Sequence, residues 1–244
     1  MHTYPAREAH GFVYIWWGEP RSDLPPVPFF DDIDERKFRY ARVRDPWATH
    51  YSRAIENRLD VVHLPLVYYN TIGRGGRTLV DGPQVKWAND DLLVVYAHNR
   101  VDDDSAPLRP EELPEPEGPF WLAFQLPNLW QNHISEQVRI VVAFVPVDDD
   151  HIILYLRFYQ KLMRWPVLRD VVSRLAMPLN VYIAHQDRRV VVTERPKRTA
   201  VRLGENLVQG DRPIVAYRTR REKLLEQPSP VGPSLGGSSS EVKG

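Results

Sequence analysis

The stretch that most limits what this chain can become lies at residues 138–160. Two runs rich in β-branched and aromatic residues, VRIVVAFVPV (138–147) and HIILYLRFYQ (151–160), are separated only by Asp148-Asp149-Asp150. Two apolar runs joined by so short and polar a link predict an antiparallel hairpin. The strongest helical signal follows at once, in PVLRDVVSRLAMPLNVYIAHQDRRVVVTER (166–195). It is started by Pro166 and predicted to bend at Pro178. A hairpin feeding one long helix points to an antiparallel sheet with that helix laid against it.

The remaining segments fit the same plan. GFVYIWWG (11–18) and KFRYARVRD (37–45) read as strands, with the Pro-rich connector DLPPVPFFDDI (23–33) between them. Tyr51, Ile55, Leu59 and Val62 recur at helical spacing and predict a helix over 49–63 that ends before Pro65. Strand signals return at 78–87 and 91–98, joined by Asn89-Asp90, and again in FWLAFQL (120–126). A second helix is predicted over 211–226, and residues 227–244 have the composition of a disordered tail. Strand, helix, several antiparallel strands and a long C-terminal helix make an α+β fold with a twisted antiparallel sheet. A pocket between sheet and long helix is the expected ligand site.

Composition removes several classes of function. There is no cysteine in 244 residues, so disulfides, thiolate zinc sites and cysteine nucleophiles are excluded. Any metal would have to be held by His, carboxylate or Tyr oxygen, donors that suit non-haem iron or manganese. Lys plus Arg and Asp plus Glu are equal at 32 each, which gives no electrostatic case for nucleic acid. No apolar run is long enough to span a membrane and no secretory signal opens the chain, so a cytoplasmic protein is expected.

One cluster carries chemistry. In AIENRLDVVHLPLVYYNTIG (54–73), Asn57, Asp60 and His63 fall at intervals of three, which on a helix places them on one side. Asp-x-x-His followed by four residues and a second His would let a helix and its exit offer two imidazoles to a metal. Here the second position is Tyr68, followed by Tyr69. A His on the apolar side of a helix also fits a plain hydrogen-bonded core residue. Asp187, beside Arg188 and Arg189, also fits a surface ion pair.

Taken with Arg7–Gly18, NTIGRGGRT (70–78), PNLWQNHISEQVRIVVAFVPVDDDHIILYLRFYQ (127–160) and HQDRRVVVTERPK (185–197), that cluster resembles the catalytic domain of Rieske non-haem iron oxygenases. These are the alpha subunits of aromatic ring-hydroxylating dioxygenases and related demethylases. The resemblance spans residues 5–226 and implies a helix-grip fold. It implies that 1–33 are a remnant strand and linker after a Rieske domain this chain lacks, that 34–226 are the catalytic domain, and that no [2Fe-2S] cluster is carried, since a Rieske cluster needs two cysteine thiolates. It further implies a mononuclear Fe(II) held by a two-His-one-carboxylate face. His63 matches the first His ligand, Asp187 the carboxylate, and Tyr68 stands where the second His belongs. Asp60 matches the aspartate that links cluster and iron across a homotrimer boundary, and Asn57 a polar residue near the iron.

The expected activity is hydroxylation or demethylation of an aromatic or hydrophobic small molecule, with electrons from a separate Rieske or reductase partner. Tyr68 works against this, because a phenol must lose a proton of pKa near ~10 to bind a metal well, and phenolate favours the oxidised ion. The alternative is a non-catalytic subunit of the same fold that binds a hydrophobic ligand or assembles with other chains, without metal. His133 and His185 are the residues that would have to supply the missing imidazole.

Overall fold

The computed structural model describes residues 3–16, 21–71, 75–116, 121–163 and 165–226. The first described element is a small hairpin, β1 (Ala6–Ala9) and β2 (Phe12–Ile15), where a single strand over 11–18 was expected; residues 17–18 lie outside the described residues. Its tight turn needs left-handed backbone at His10 and Gly11, and a Cβ on Gly11 would stand 2.6 Å from the Tyr40 hydroxyl. Gly11 thus meets both a conformational and a steric demand. Arg157 anchors the hairpin: its Nη2 donates to the Gly11 carbonyl at 2.8 Å, and its guanidinium lies 3.3 Å from the Phe12 ring centroid.

β3 (Arg39–Trp47) leads into α1 (Tyr51–Leu59) and the single turn α2 (Leu64–Val67), followed by β4 (Leu79–Trp87) and β5 (Leu92–Arg100). β6 (Trp121–Gln125), β7 (Leu129–Ser135), β8 (Val138–Pro146) and β9 (Ile152–Gln160) come next. α3 (Pro166–Val191) and α4 (Arg212–Glu226) close the described chain. The expected hairpin is β8–β9, in continuous register from Val138 opposite Gln160 to Pro146 opposite Ile152. β7 was not anticipated. α3 is a single helix that runs through Pro178 and ends at Val191, four residues short of the predicted end. The predicted tail and residues 72–74 of the Gly-rich turn lie outside the described residues.

All seven strands from β3 to β9 form one antiparallel sheet in the order β3-β9-β8-β7-β6-β5-β4. This order explains where the site must be. β3 and β4 follow one another in sequence yet occupy opposite edges, so the chain between them has to cross a face of the sheet. α1 and α2 are that crossing. α3 then packs on β3 and β9 beside α1, and α4 packs on β4 and α1.

Alternation along the strands supplies two apolar layers. On β8, Val142 and Phe144 face the helices together with Trp47, Ile55, Leu59, Trp130 and Leu154. Val141 and Ala143 face the other way, where Phe30, Ile33 and Phe38 of the connector cover them. Each fully buried side chain of this size contributes about 1.5–3 kcal/mol. The Pro-rich connector is therefore a cover for the second face of the sheet. The architecture is α+β, as the segment order implied.

Candidate functional site

The candidate residues sit where α1, α2 and α3 meet above the sheet. Asn57, Asp60 and His63 do not share one helix. α1 stops at Leu59, and Asp60 is its C-cap with φ −71° and ψ 112°. The Asp60 carboxylate explains the break. Its Oδ1 accepts from the Val62 amide at 2.8 Å and from the His63 amide at 3.4 Å, local bonds that compete with the helix. The chain restarts with His63 as the N-cap of α2, and Pro65 lies in the first turn of that helix instead of ending the previous one.

Asp187 is the hub. α3 presents it on the face that also buries Ser173, Met177, Asn180, Ala184 and Val191, and no part of its side chain reaches solvent. Its Oδ1 accepts a hydrogen bond from the Tyr68 hydroxyl and lies 3.5 Å from His63 Nε2. Its Oδ2 lies 2.7 Å from Nη1 of Arg58, whose guanidinium stands 5.4 Å from the Trp130 ring centroid. The other nitrogen of His63 lies 3.3 Å from Asp60 Oδ2, so the imidazole is held between two carboxylates.

Burial alone would lower the pKa of His63, but its hydrogen bonds and charge interactions with Asp187 and Asp60 raise it to about 9. Burial also opposes ionisation of Asp60, and His63 together with two backbone amides overturns this, leaving it below the ordinary carboxylate value. For Tyr68, burial is the main influence and raises the phenol above its ordinary value; Arg58 pulls it down and Asp187 adds to the rise. Tyr68 is thus a protonated donor to Asp187. Asn57 is buried nearby, with its side-chain oxygen unpartnered among the described residues.

The structure places His63, Tyr68 and Asp187 side by side, with Asp60 one step out. It also adds Arg58, which the sequence reading passed over. The signal was slight: a cation inside a helix, two residues before the aspartate, whose partner lies far along the chain. His133 and His185 are committed elsewhere. His185 lies 2.9 Å from Asp45, and His133 stacks on Trp121 and faces Asp32 at 3.7 Å.

These residues do not fit a divalent iron as they stand. Both oxygens of Asp187 are engaged, one of them by a permanent cation. A divalent ion bound to that carboxylate at roughly 5 Å from the guanidinium would be repelled by about 7 kcal/mol at an effective dielectric near ~20. Moving Arg58 aside instead would leave its charge buried and unpaired. Among the described residues no group of three or more His, Cys, Asp or Glu side chains is placed to hold a metal.

A cavity of about 980 Å³ lies elsewhere, away from the expected position between sheet and long helix. Tyr14, Trp16, Phe29 and Phe30 line it, with the connector prolines and the turn at Asn89–Asp91. No helix of the described residues is long and apolar enough to cross a membrane.

The family model for the vanillate O-demethylase oxygenase C-terminal domain matches residues 47–227. No curated protein matches the chain. Among solved structures, the QL mutant of NdmA from Pseudomonas putida CBB5 with theobromine is 17% identical, with a TM-score of 0.65 over 90% of this chain and 60% of that one. The terminal oxygenase of carbazole 1,9a-dioxygenase from Nocardioides aromaticivorans IC177 is 17% identical, with a TM-score of 0.59 over 90% and 67%. A chain of the reduced complex between oxygenase and ferredoxin in carbazole 1,9a-dioxygenase is 16% identical, with a TM-score of 0.64 over 91% and 64%. At such identities the likeness is one of fold. The chain spans about 60% of the length of NdmA.

Proposed function

The chain belongs to the vanillate O-demethylase oxygenase C-terminal domain family, the catalytic domains of Rieske oxygenases, and on that premise we propose that it is a metal-free, non-catalytic member. In this reading it keeps the fold as a subunit that binds a hydrophobic small molecule or assembles with other chains. The observation that carries the reading is the Arg58–Asp187 pair at 2.7 Å, fully shielded from water on the Asp187 side. A guanidinium supplies the positive charge that the carboxylate would otherwise take from a metal, Tyr68 donates to its remaining oxygen, and His63 Nε2 stands 3.5 Å from the same atom. The cavity lined by Tyr14, Trp16 and Phe29 supports the ligand-binding role, since aromatic walls suit a flat apolar molecule.

A second reading draws on the approach of His63 Nε2 to Asp187 Oδ1 at 3.5 Å, two donors of the family's facial site. It makes the chain an Fe(II) oxygenase domain, working in a homotrimer with a separate electron donor, as the ferredoxin complexes of carbazole dioxygenase suggest. That reading requires Arg58 to leave Asp187 and a further donor to be found.

Thermal unfolding separates the two. A ligand that binds only the folded state raises the melting temperature by mass action. The metal-free reading expects one melting temperature whether the protein is treated with chelator or given Fe(II) anaerobically. A clear rise with Fe(II), reversed by chelator, supports the oxygenase reading instead.

A further inference from the structure

The cavity of about 980 Å³ takes its walls from the β1–β2 hairpin, the connector, the turns joining β4 to β5 and β6 to β7, and Leu224 near the end of α4. Tyr14, Trp16, Phe29 and Phe30 give it the apolar, aromatic surface that a flat ring system needs. What else such a molecule carries is set by the hydrogen-bonding groups around it.

The wall is poor in donors. Pro5, Pro25, Pro26, Pro28 and Pro127 contribute no backbone N–H. Three side-chain donors are already engaged within the protein. Arg7 Nη1 donates to the Pro25 carbonyl at 3.3 Å, the Tyr14 hydroxyl to the Pro28 carbonyl at 3.1 Å, and Asn128 Nδ2 to the Phe144 carbonyl at 2.8 Å. His10 stacks on Phe29, with its Nδ1 3.3 Å from Glu35.

Acceptors, by contrast, stand free. Asp31 and Asp90 line the cavity at exposed positions, and neither carboxylate has a hydrogen-bond or ion-pair partner among the described residues. Asp91, the third lining acid, stands 3.9 Å from Arg220. Arg21 lies beside the Trp16 ring but is held by Asp23. Setting Arg7 and Arg220 against two of the three acids leaves one negative charge in excess. Free acceptors, few donors and a surplus of negative charge beside aromatic rings all select a cation that can donate.

We propose that this cavity binds an aromatic molecule bearing a protonated amine, with the ring between Tyr14 and Phe29 and the ammonium directed to Asp31 and Asp90. This assignment rests on the ligand-binding role proposed above and names the chemistry of the ligand.

Calorimetric titration of the full chain near neutral pH tests it, with three probes that share one ring: naphthylethylamine as the cation, naphthylethanol as the neutral analogue and naphthylacetate as the anion. The amine should bind about tenfold more tightly than the alcohol, a gain that two solvated carboxylates at contact distance supply, and the acetate more weakly than either. Asp31→Asn combined with Asp90→Asn, both at exposed positions, should bring the amine to the affinity of the alcohol and leave the alcohol unchanged. An alcohol or acetate that binds as tightly as the amine overturns the inference and leaves the ligand-binding role standing. So does an amine whose affinity survives the loss of both carboxylates. Absence of binding by all three probes overturns the inference together with that role.

Discussion

One carboxylate sets the chemistry of the cluster between α1, α2 and α3. Asp187 is buried without any exposed atom, and its charge is met from within the chain by Arg58, with Tyr68 and His63 closing the other oxygen. Truncating Arg58 to alanine leaves that charge uncompensated and should cost roughly 3–5 kcal/mol, read by denaturant unfolding. A loss under ~1 kcal/mol would mean that the pair does not carry the site. If Arg58 excludes metal, Tyr68→His alone should still bind no Fe(II), whereas Arg58→Ala combined with Tyr68→His should bind it in anaerobic calorimetry. Iron binding by Tyr68→His with Arg58 in place would contradict this. The residues that meet at the site were legible in the sequence because their types and spacing resemble a known pattern. Arg58 was not, since nothing local marks a cation whose partner is brought in by another helix. The helix break was also missed, because the Asp60 side chain captures the amides of Val62 and His63.

Among the elements, α1 is held at both ends by buried charge. Glu56 takes a bidentate contact from Arg218 of α4, at 2.9 and 2.8 Å, and a further one from Arg53 at 3.3 Å. Glu205 bridges the same two arginines from the segment between α3 and α4. Glu56→Ala removes the buried carboxylate that both guanidinium groups share and leaves them only the half-exposed Glu205 and Glu194, so it should destabilise the fold by about 3 kcal/mol, while an exposed acid such as Glu115 should cost under ~0.5. Equal effects at the two positions would refute the role assigned to the cluster. Glu194 beside it is a different case. Burial raises it to about 7, and Arg53 offsets this only in part. The folded chain thus holds a proton that the unfolded chain releases above its ordinary value of 4.5. The stability this contributes is full below about pH 4.5 and is lost as pH rises through about 7. Glu194→Gln should therefore raise the melting temperature near pH 8 and leave it almost unchanged near pH 4; an equal shift at both would contradict the assignment. The long helix and the β8–β9 hairpin were plain in the sequence because their periodicities are strong. β7 was not, because its buried positions include Gln131 and His133, polar residues whose contacts with Asp32 only the folded connector supplies.

At the scale of the whole molecule, one sheet is covered on both faces, by helices on one and by a proline-rich connector on the other. The strand order forces α1 and α2 across the helical face and brings Arg58, His63 and Tyr68 against Asp187 on the inner side of α3. Fold class followed from the order of strand and helix signals, while the cover formed by 21–38 did not, because proline-rich sequence reads as a linker until Phe30, Ile33 and Phe38 are seen buried. Iron stoichiometry after anaerobic reconstitution with Fe(II), measured for the wild type and for Asp187→Ala, distinguishes a neutralised carboxylate from a metal ligand. A buried carboxylate already neutralised by Arg58 predicts no bound iron in either protein. Close to one iron per chain in the wild type, lost in Asp187→Ala, would show that the site still takes its metal and that the chain is not the metal-free subunit described.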